Sequence, residues 1–270
     1  MPDIDNAYTD VIIIAKEAGN AIMEIYNKKY VIEKKDDDSP ITTADVTSNN
    51  IITSGLKNIS DHSILSEEIQ DTPERLSSEY VWIVDPLDGT SDFIKKNGEF
   101  SVMIGLVQGN TPVFGVSYEP ATKKCYYAQK GIGTFVSEPG KAVRKLHVSD
   151  IEDIKEVTVI SSRSHPEKDG IIKKLGITKH IMSGGVGVKI GKIAEKYADI
   201  YYNTSQHTSL WDACAAQCII ESAGGKMTDL RGNALVYNTK ETKNMLGILA
   251  TNGHVHEHIA QHFSTNLSLS

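Results

Sequence analysis

The chain has 270 residues, of which 40% are hydrophobic and 23% charged, with a formal net charge of −7. No apolar stretch approaches the ~20 residues that a membrane-spanning helix needs, and the acidic balance disfavours a nucleic-acid polymer as partner, because phosphate backbones select basic surfaces. The length exceeds the usual domain mode of about 100 to 150 residues, so one large unit or two apposed ones are open.

The first predicted element is an amphipathic helix from about Tyr8 to Lys28, in which Val11, Ala15, Ala18, Ile22 and Ile25 recur at helical spacing. A charged loop, Lys34 to Pro40, precedes a second helical pattern from Val46 to Leu56, with Thr43 as expected N-cap and Asp45 in the first turn. Ile64-Leu65 then runs into Ser66-Glu67-Glu68, and Trp82-Ile83-Val84 runs into Asp85-Pro86-Leu87-Asp88-Gly89-Thr90. Gly89 permits a sharp turn, and Thr90 is expected to cap a short helix over Ser91 to Lys96, whose opening amides suit a phosphate.

From Ser101 to Val136, four β-rich runs separated by turns predict an antiparallel sheet. The polar stretch from Pro139 to Ser149 reads as a crossing between halves, placed as residues 1–145 and 146–270. Beyond it the pattern alternates: a strand at Val157–Ile160, the run Ser161-Ser162-Arg163-Ser164-His165, a helix through Leu175, a glycine-rich turn into a helix toward Tyr197, and a strand at Ile200–Tyr202. A helix from Trp211 to Ala223 follows, stopped by Gly224-Gly225 and carrying Cys214 and Cys218 toward the core. A meander followed by alternation predicts an α/β (α+β) fold. With Cys125 these thiols make no C-x-x-C pair, and the N-terminus lacks a signal-peptide pattern, so a cytoplasmic setting is expected.

Two carboxylates at the end of a buried strand cost several kcal/mol per uncompensated charge, about the scale that a divalent metal offsets. Asp85 and Asp88, joined by Glu67 or Glu68 and by Asp212, would make the all-oxygen site that Mg²⁺ favours. The bland alternatives are a turn built from Asp, Pro and Gly, and an Asp212 placed only by the helix dipole. An EF-hand loop is excluded because Leu87, Gly89 and Lys96 stand at its third, fifth and twelfth positions. A D-x-D-G-T phosphoenzyme motif has one residue between its acids, and here there are two. His254, His258 and His262, at i,i+4 spacing, offer a candidate zinc face without an H-E-x-x-H motif, and an ordinary helix face is the favoured reading.

Ser66-Glu67-Glu68, Asp85 through Thr90, and Trp211-Asp212-Ala213 with Gly224-Gly225 resemble, in order, three signatures of the inositol monophosphatase superfamily, a likeness running from Lys35 to Gly225. Asp88 through Phe100, Asp38 through Asp45, and Ser162-Arg163-Ser164-His165 resemble its 3′(2′),5′-bisphosphate nucleotidase branch. The resemblance implies a layered αβαβα sandwich of the inositol monophosphatase and sugar phosphatase type, with an antiparallel sheet in the N-terminal half and a mixed sheet in the C-terminal half. It implies two or three Mg²⁺ ions held by Glu67, Asp85, the Leu87 carbonyl, Asp88 and Asp212, with Thr90, Asp45 and Glu67 catalytic. Gly89, Thr90, Ser164, His165, Lys189 and Asp212 would meet substrate. Where relatives often carry a polar pair before that lysine, Val186-Gly187-Val188 stand here, and glycine amides are the expected substitute.

The implied reaction is hydrolysis of the 3′-phosphate of 3′-phosphoadenosine 5′-phosphate to AMP and phosphate, within sulfur metabolism and sensitive to lithium. An inositol-1-monophosphatase is the alternative; a non-catalytic phosphometabolite sensor is less favoured, because every catalytic position holds a competent residue. Monomer or homodimer, and a peripheral association with the inner membrane, stay open.

Overall fold

The structure is a computed structural model that describes residues 5–28, 31–35, 40–164, 170–206 and 208–266. Helix α1 (Asn6–Tyr26) is followed by a short antiparallel pair, β1 (Ile32–Lys34) and β2 (Pro40–Thr42), then by α2 (Thr43–Ile59), β3 (Ser63–Ser66), a 3₁₀ turn (Pro73–Ser77), β4 (Tyr80–Asp88) and α3 (Thr90–Ile94). Strands β5 (Ser101–Gln108), β6 (Thr111–Glu119), β7 (Lys124–Gln129), β8 (Gly133–Ser137) and β9 (Arg144–Leu146) complete a seven-stranded sheet in sequence order from β3 to β9. Its ladders are antiparallel except for β3 beside β4.

The chain then builds a five-stranded sheet. Its elements are β10 (Thr158–Ser162), α4 (Ile171–Lys174), β11 (Lys179–Ser183), α5 (Val186–Ala194), β12 (Ile200–Asn203), α6 (Leu210–Ser222), β13 (Lys226–Thr228), β14 (Ile248–Thr251) and α7 (His256–Asn266), with strand order β11-β10-β12-β14-β13. The pairs β10·β11 and β10·β12 are parallel and the others antiparallel, so this sheet is mixed.

Side-chain alternation sorts these elements into layers. Along β4, Val81 and Ile83 point into a core shared with α5 and α6, while Trp82 and Val84 point into one shared with α1 and α2. Along β12, Tyr201 faces the α5/α6 side and Ile200 and Tyr202 face α7. The order is therefore α1/α2, seven-stranded sheet, α5/α6, five-stranded sheet, α7. Helix α6 lies between two sheets, which is why Ala213, Cys214, Ala215, Ala216, Cys218, Ile219 and Ile220 are all buried and the helix has no polar stripe.

One contact sets the depth of α6. Gly105 on β5 pairs with Gly115 on β6. A Cβ on Gly105 would stand 2.9 Å from the Ala215 nitrogen, and one on Gly115 3.0 Å from the Ala215 Cα. Two glycines thus make a shallow bed for the helix backbone, and Gly105 is also opposite Ile83 of β4. Seating α6 there carries its first turn toward the end of β4.

Local differences from the sequence expectations have simple causes. Thr42, not Thr43, caps α2, because its hydroxyl accepts from Ala44 and Asp45 closes a capping box on it. Gly89, not Thr90, caps α3, since the backbone there is left-handed at φ 88°. Strands β13 and β14 had no counterpart in the sequence pattern; both sit around a stretch from Leu230 to Gly247 that has almost no regular structure. No helix is long and apolar enough to cross a membrane among the described residues.

Candidate functional site

Asp85, Asp88 and Asp212 come together: each offers a carboxylate oxygen, and these oxygens all lie within 4.8 Å of one another. Two elements deliver them, the end of β4 and the first turn of α6. The end of β4 is shaped by a register shift between Asp85 and Asp88 against β5. Asp85 Oδ1 accepts the Leu87 N–H at 3.0 Å, and Ser48 of α2 donates to the Pro86 carbonyl at 2.7 Å, so the turn is fixed from inside and from the α2 side. Asp212 is held by a capping box with Ser209, whose N–H donates to Asp212 Oδ2 at 2.6 Å.

Asp88 is held from the other half of the chain. Its Oδ1 accepts the Val186 N–H at 2.8 Å, and its Oδ2 accepts the Gly187 N–H and the Ser101 hydroxyl, each at 2.8 Å. Asp88 therefore caps α5 across the layers. Of the expected glycine amides, that of Gly187 is spent on Asp88 beside the Val186 N–H, and that of Gly185 on the Glu99 carbonyl.

None of the three aspartates forms an ion pair among the described residues. Burial pushes the Asp85 carboxyl well up, with Glu67, Asp88 and Asp212 adding repulsion. Burial likewise pushes Asp212 up to about 7, again with Glu67 contributing. Three oxygen donors with uncompensated charge fit a hard divalent cation. Among the described residues no other group of three or more His, Cys, Asp or Glu side chains is placed to share an ion. His254, His258 and His262 do not converge: His254 faces Glu152 at 3.7 Å from outside α7, and His258 is exposed.

Glu67 stands within electrostatic reach of Asp85, Asp212 and Asp45, but its Oε1 accepts the Lys35 ammonium at 2.7 Å. Lys35 also takes Glu68 at 2.7 Å. Burial pushes the Glu68 carboxyl up to about 7 in spite of that partner. A cation thus already occupies the edge of the acidic cluster.

Thr90 Oγ1 lies 3.0 Å from Asp45 Oδ1 and 3.2 Å from the Leu87 carbonyl oxygen. The other Asp45 oxygen accepts the Thr42 N–H and hydroxyl, both at 2.7 Å. Burial raises the Asp45 pKa against these hydrogen bonds. Ser164 bridges Lys95, at 2.8 Å, and Asp92, at 3.2 Å. His165 lies outside the described residues.

Lys189 is not on the surface. It is buried in α5, its ammonium donates to the Gly184 carbonyl, and its nitrogen stands 5.0 Å from the Tyr201 ring centre. Burial lowers its pKa against the opposing pull of Asp88, Asp92 and Asp212. The reason is positional: α5 is wedged between two sheets, and its first turn has no solvent face.

Sequence reasoning passed over Ser101, Ser48 and Ser209, which hold the acids in place. The Ser209 and Thr42 caps did leave a signal, since both begin an S/T-x-x-D tetrad that ends on a site aspartate.

The sequence model of the Inositol monophosphatase family matches residues 5–268. The 3′(2′),5′-bisphosphate nucleotidase CysQ of Salmonella typhimurium is 37% identical over 235 residues, covering 85% of this chain and 93% of that protein. The crystal structure of CysQ from Bacteroides thetaiotaomicron, described as a bacterial member of the inositol monophosphatase family, superposes with a TM-score of 0.75 at 31% identity, over 91% of this chain and 96% of that one. An IMPase/NADP phosphatase complexed with Mg²⁺ and phosphate shares the fold, with a TM-score of 0.79 at 21% identity, covering 93% of this chain and 92% of that one.

Proposed function

The chain belongs to the inositol monophosphatase family, and from that membership we propose that it is a 3′(2′),5′-bisphosphate nucleotidase, a metal-dependent phosphatase that removes the 3′-phosphate of 3′-phosphoadenosine 5′-phosphate to leave AMP. The observation that carries the hydrolase reading is the convergence of Asp85, Asp88 and Asp212 without a counter-cation, beside a threonine hydroxyl that is bonded to a buried carboxylate. The preference for a nucleotide over an inositol phosphate rests on the nucleotidase relatives, which are closer in sequence than the IMPase/NADP phosphatase. Three buried thiols suit a reducing, cytoplasmic setting for this reaction.

Asp85, Asp88 and Asp212 would hold Mg²⁺, with Glu67 and the Leu87 carbonyl as further oxygen donors once Lys35 and the Thr90 hydroxyl yield them. Bound there, the ions supply positive charge that polarises the phosphoryl group and acidifies a water. The chain's own part is orientation and proton handling. Thr90 gives its proton to Asp45 and turns a lone pair toward the water, so that a proton leaving the water has a path through the Thr90 hydroxyl to Asp45 Oδ1. Thr42 keeps Asp45 in the rotamer that this requires. Amides at Gly89 and Thr90 would be the donors nearest the transferred phosphate, and Ser164 and His165 are the proposed substrate contacts.

Rates of phosphate release from 3′-phosphoadenosine 5′-phosphate and from inositol 1-phosphate, each with Mg²⁺ and with EDTA, test the reading. The nucleotide is expected to be favoured by about 10²-fold or more in kcat/KM, with no release in EDTA and inhibition by lithium. Preference for inositol 1-phosphate would establish the alternative, and metal-independent release would remove the aspartates from the reaction.

A further inference from the structure

Three carboxylates whose oxygens lie within 4.8 Å of one another repel while no cation joins them. The first turn of α6, which carries Asp212, is therefore under a force that drives it away from the end of β4, and the fold has to resist that force. The lead into α6 is held by a stretch with almost no regular structure. The Leu210 N–H donates to the Thr242 carbonyl at 2.9 Å, the Asn244 N–H to the Thr208 carbonyl at 2.8 Å, and the buried Asn244 side chain to the Ser209 carbonyl at 2.7 Å. Ser209 is the cap whose N–H holds Asp212. Residues 242–244 thus brace the Asp212 turn, and they need an anchor of their own.

Arg75 supplies it. This residue lies in the 3₁₀ turn between Glu68 and β4 and is 2% exposed. Its Nε and Nη2 donate to the two Asp71 carboxylate oxygens at 2.6 and 2.7 Å, which settles the buried charge. The guanidinium then reaches further: Nη1 donates to Asn238 Oδ1 at 3.2 Å and Nη2 to the Thr239 carbonyl at 2.7 Å. Asn238 answers through Nδ2, which donates to the Leu76 and Ser78 carbonyls at 3.4 and 3.2 Å. From Thr239, whose hydroxyl donates to the Glu241 carbonyl at 2.7 Å, the chain turns directly into the bracing residues. On its other side the Arg75 loop starts at Glu67, whose N–H is fixed to the Val84 carbonyl of β4 at 3.2 Å. A planar fork fixes direction as well as distance, so one side chain ties the loop behind Glu67 to the segment that braces Asp212.

We propose that Arg75 is a positioning residue for the metal site: through residues 238–244 it holds the Asp212 turn of α6 against the end of β4, so that the carboxylates stay gathered before an ion arrives. The proposal rests on the metal-dependent reading above. Without the fork, the repelling acids relax apart, and part of the binding free energy of the ion is spent on drawing them together again. The gathered state is the same once the ion is bound, so the loss falls on metal affinity and not on the chemical step.

The test is calorimetric binding of Mn²⁺ to the metal-free wild type, Arg75→Met and Arg75→Lys, each shown to be folded by circular dichroism at the temperature of the titration. Both variants should bind Mn²⁺ about tenfold more weakly. The Mg²⁺ concentration that gives half-maximal phosphate release should rise by the same factor, with KM for 3′-phosphoadenosine 5′-phosphate and kcat at saturating Mg²⁺ near wild type. Arg75→Lys keeps a charge for Asp71 but has no fork to span Asn238 and Thr239, so its failure marks geometry and not charge. Asn238→Ala removes the half-buried partner and reads the same clamp should the arginine variants not fold; it should weaken Mn²⁺ in the same direction by less. A lowered melting temperature with unchanged Mn²⁺ affinity, or full recovery in Arg75→Lys, would overturn the proposal. Mn²⁺ binding that Asp212→Asn leaves unaltered would instead overturn the metal reading itself, and the role of Arg75 with it.

Discussion

Two acidic clusters in this molecule are built in opposite ways. At the end of α5, Glu138 and Glu195 are surrounded by cations. Glu195 meets Lys124 at 2.7 Å and Arg144 at 2.8 Å, and Glu138 meets Lys141 at 2.9 Å and Arg144 at 3.0 Å. Hydrogen bonds from Lys141 and Arg144 hold the Glu138 carboxyl down at about 2. Burial alone would raise Glu195, yet Lys124, Tyr126 and Arg144 bring it below its usual value. At the start of α6, by contrast, Asp85 and Asp212 are pushed up by burial and by the neighbouring carboxylates Glu67 and Asp88, with no cation bonded to them. The first cluster is at rest electrostatically; the second is a place where folding leaves an anionic charge unsettled, and such a place awaits a ligand of opposite sign.

The comparison breaks most sharply at Asp212. Asp212→Asn retains an oxygen that can accept the Ser209 N–H, so the helix cap survives, but it removes one charge from the trio. Turnover should fall by about 10³-fold, the scale of lost charge stabilisation at a phosphoryl-transfer site. The melting temperature in EDTA should stay level or rise, because a repelling buried charge is gone. Near-normal turnover would take Asp212 out of the metal set; a large loss of metal-free stability would show that the acid was structural after all.

A smaller effect follows from pH. Asp212 has a folded pKa raised from 3.8 to about 7, so the metal-free protein binds its proton more tightly than the unfolded chain does. The stability tied to that group is fully present below about pH 4 and is lost as pH rises toward 7. Glu138, lowered from 4.5 to about 2, has the reverse sign: its contribution is present above about pH 4.5 and is lost as pH falls toward 2. In EDTA, stability by urea unfolding should therefore fall between about pH 4 and 7, by roughly 1 to 3 kcal/mol once discounted for partial solvent screening. Mg²⁺ at pH 8 should restore it. A flat profile in EDTA, unaffected by Mg²⁺, would mean that the trio carries no unsettled charge.

The contrast between the clusters also explains what could be read in advance. An apolar run that ends on Asp85 and Asp88 is visible in one dimension, because burial and charge conflict within a few residues. The long helices α1, α2 and α6 and the strands β5 to β8 are visible for the same local reason, namely their periodicity. What Asp88 does with α5 is not visible, since Val186 and Gly187 are about a hundred residues away and contribute only backbone N–H groups. The burial of Lys189, expected as a substrate contact, is not visible either, because it is decided by two sheets closing on one helix. Strands β13 and β14 were missed because they are three and four residues long and lie in a polar, aperiodic region.

The smallest expected effect belongs to the paired cluster. Arg144 touches both Glu138 and Glu195, but its side chain is 49% exposed, and an exposed cation gains little from pairing once water and salt compete for it. Arg144→Met should therefore cost no more than about 1 kcal/mol in urea unfolding, less at high ionic strength, and should leave turnover unchanged. Lys124 and Lys141 remain to hold the two carboxylates, so the cluster stays settled without the arginine. A loss several times larger, or a fall in turnover, would mean that this network is coupled to the site along α5, from Glu195 at its end to the amides that hold Asp88 at its start. The two clusters would then have to be treated as one electrostatic system, and the distinction between settled and unsettled charge would not separate structure from function in this fold.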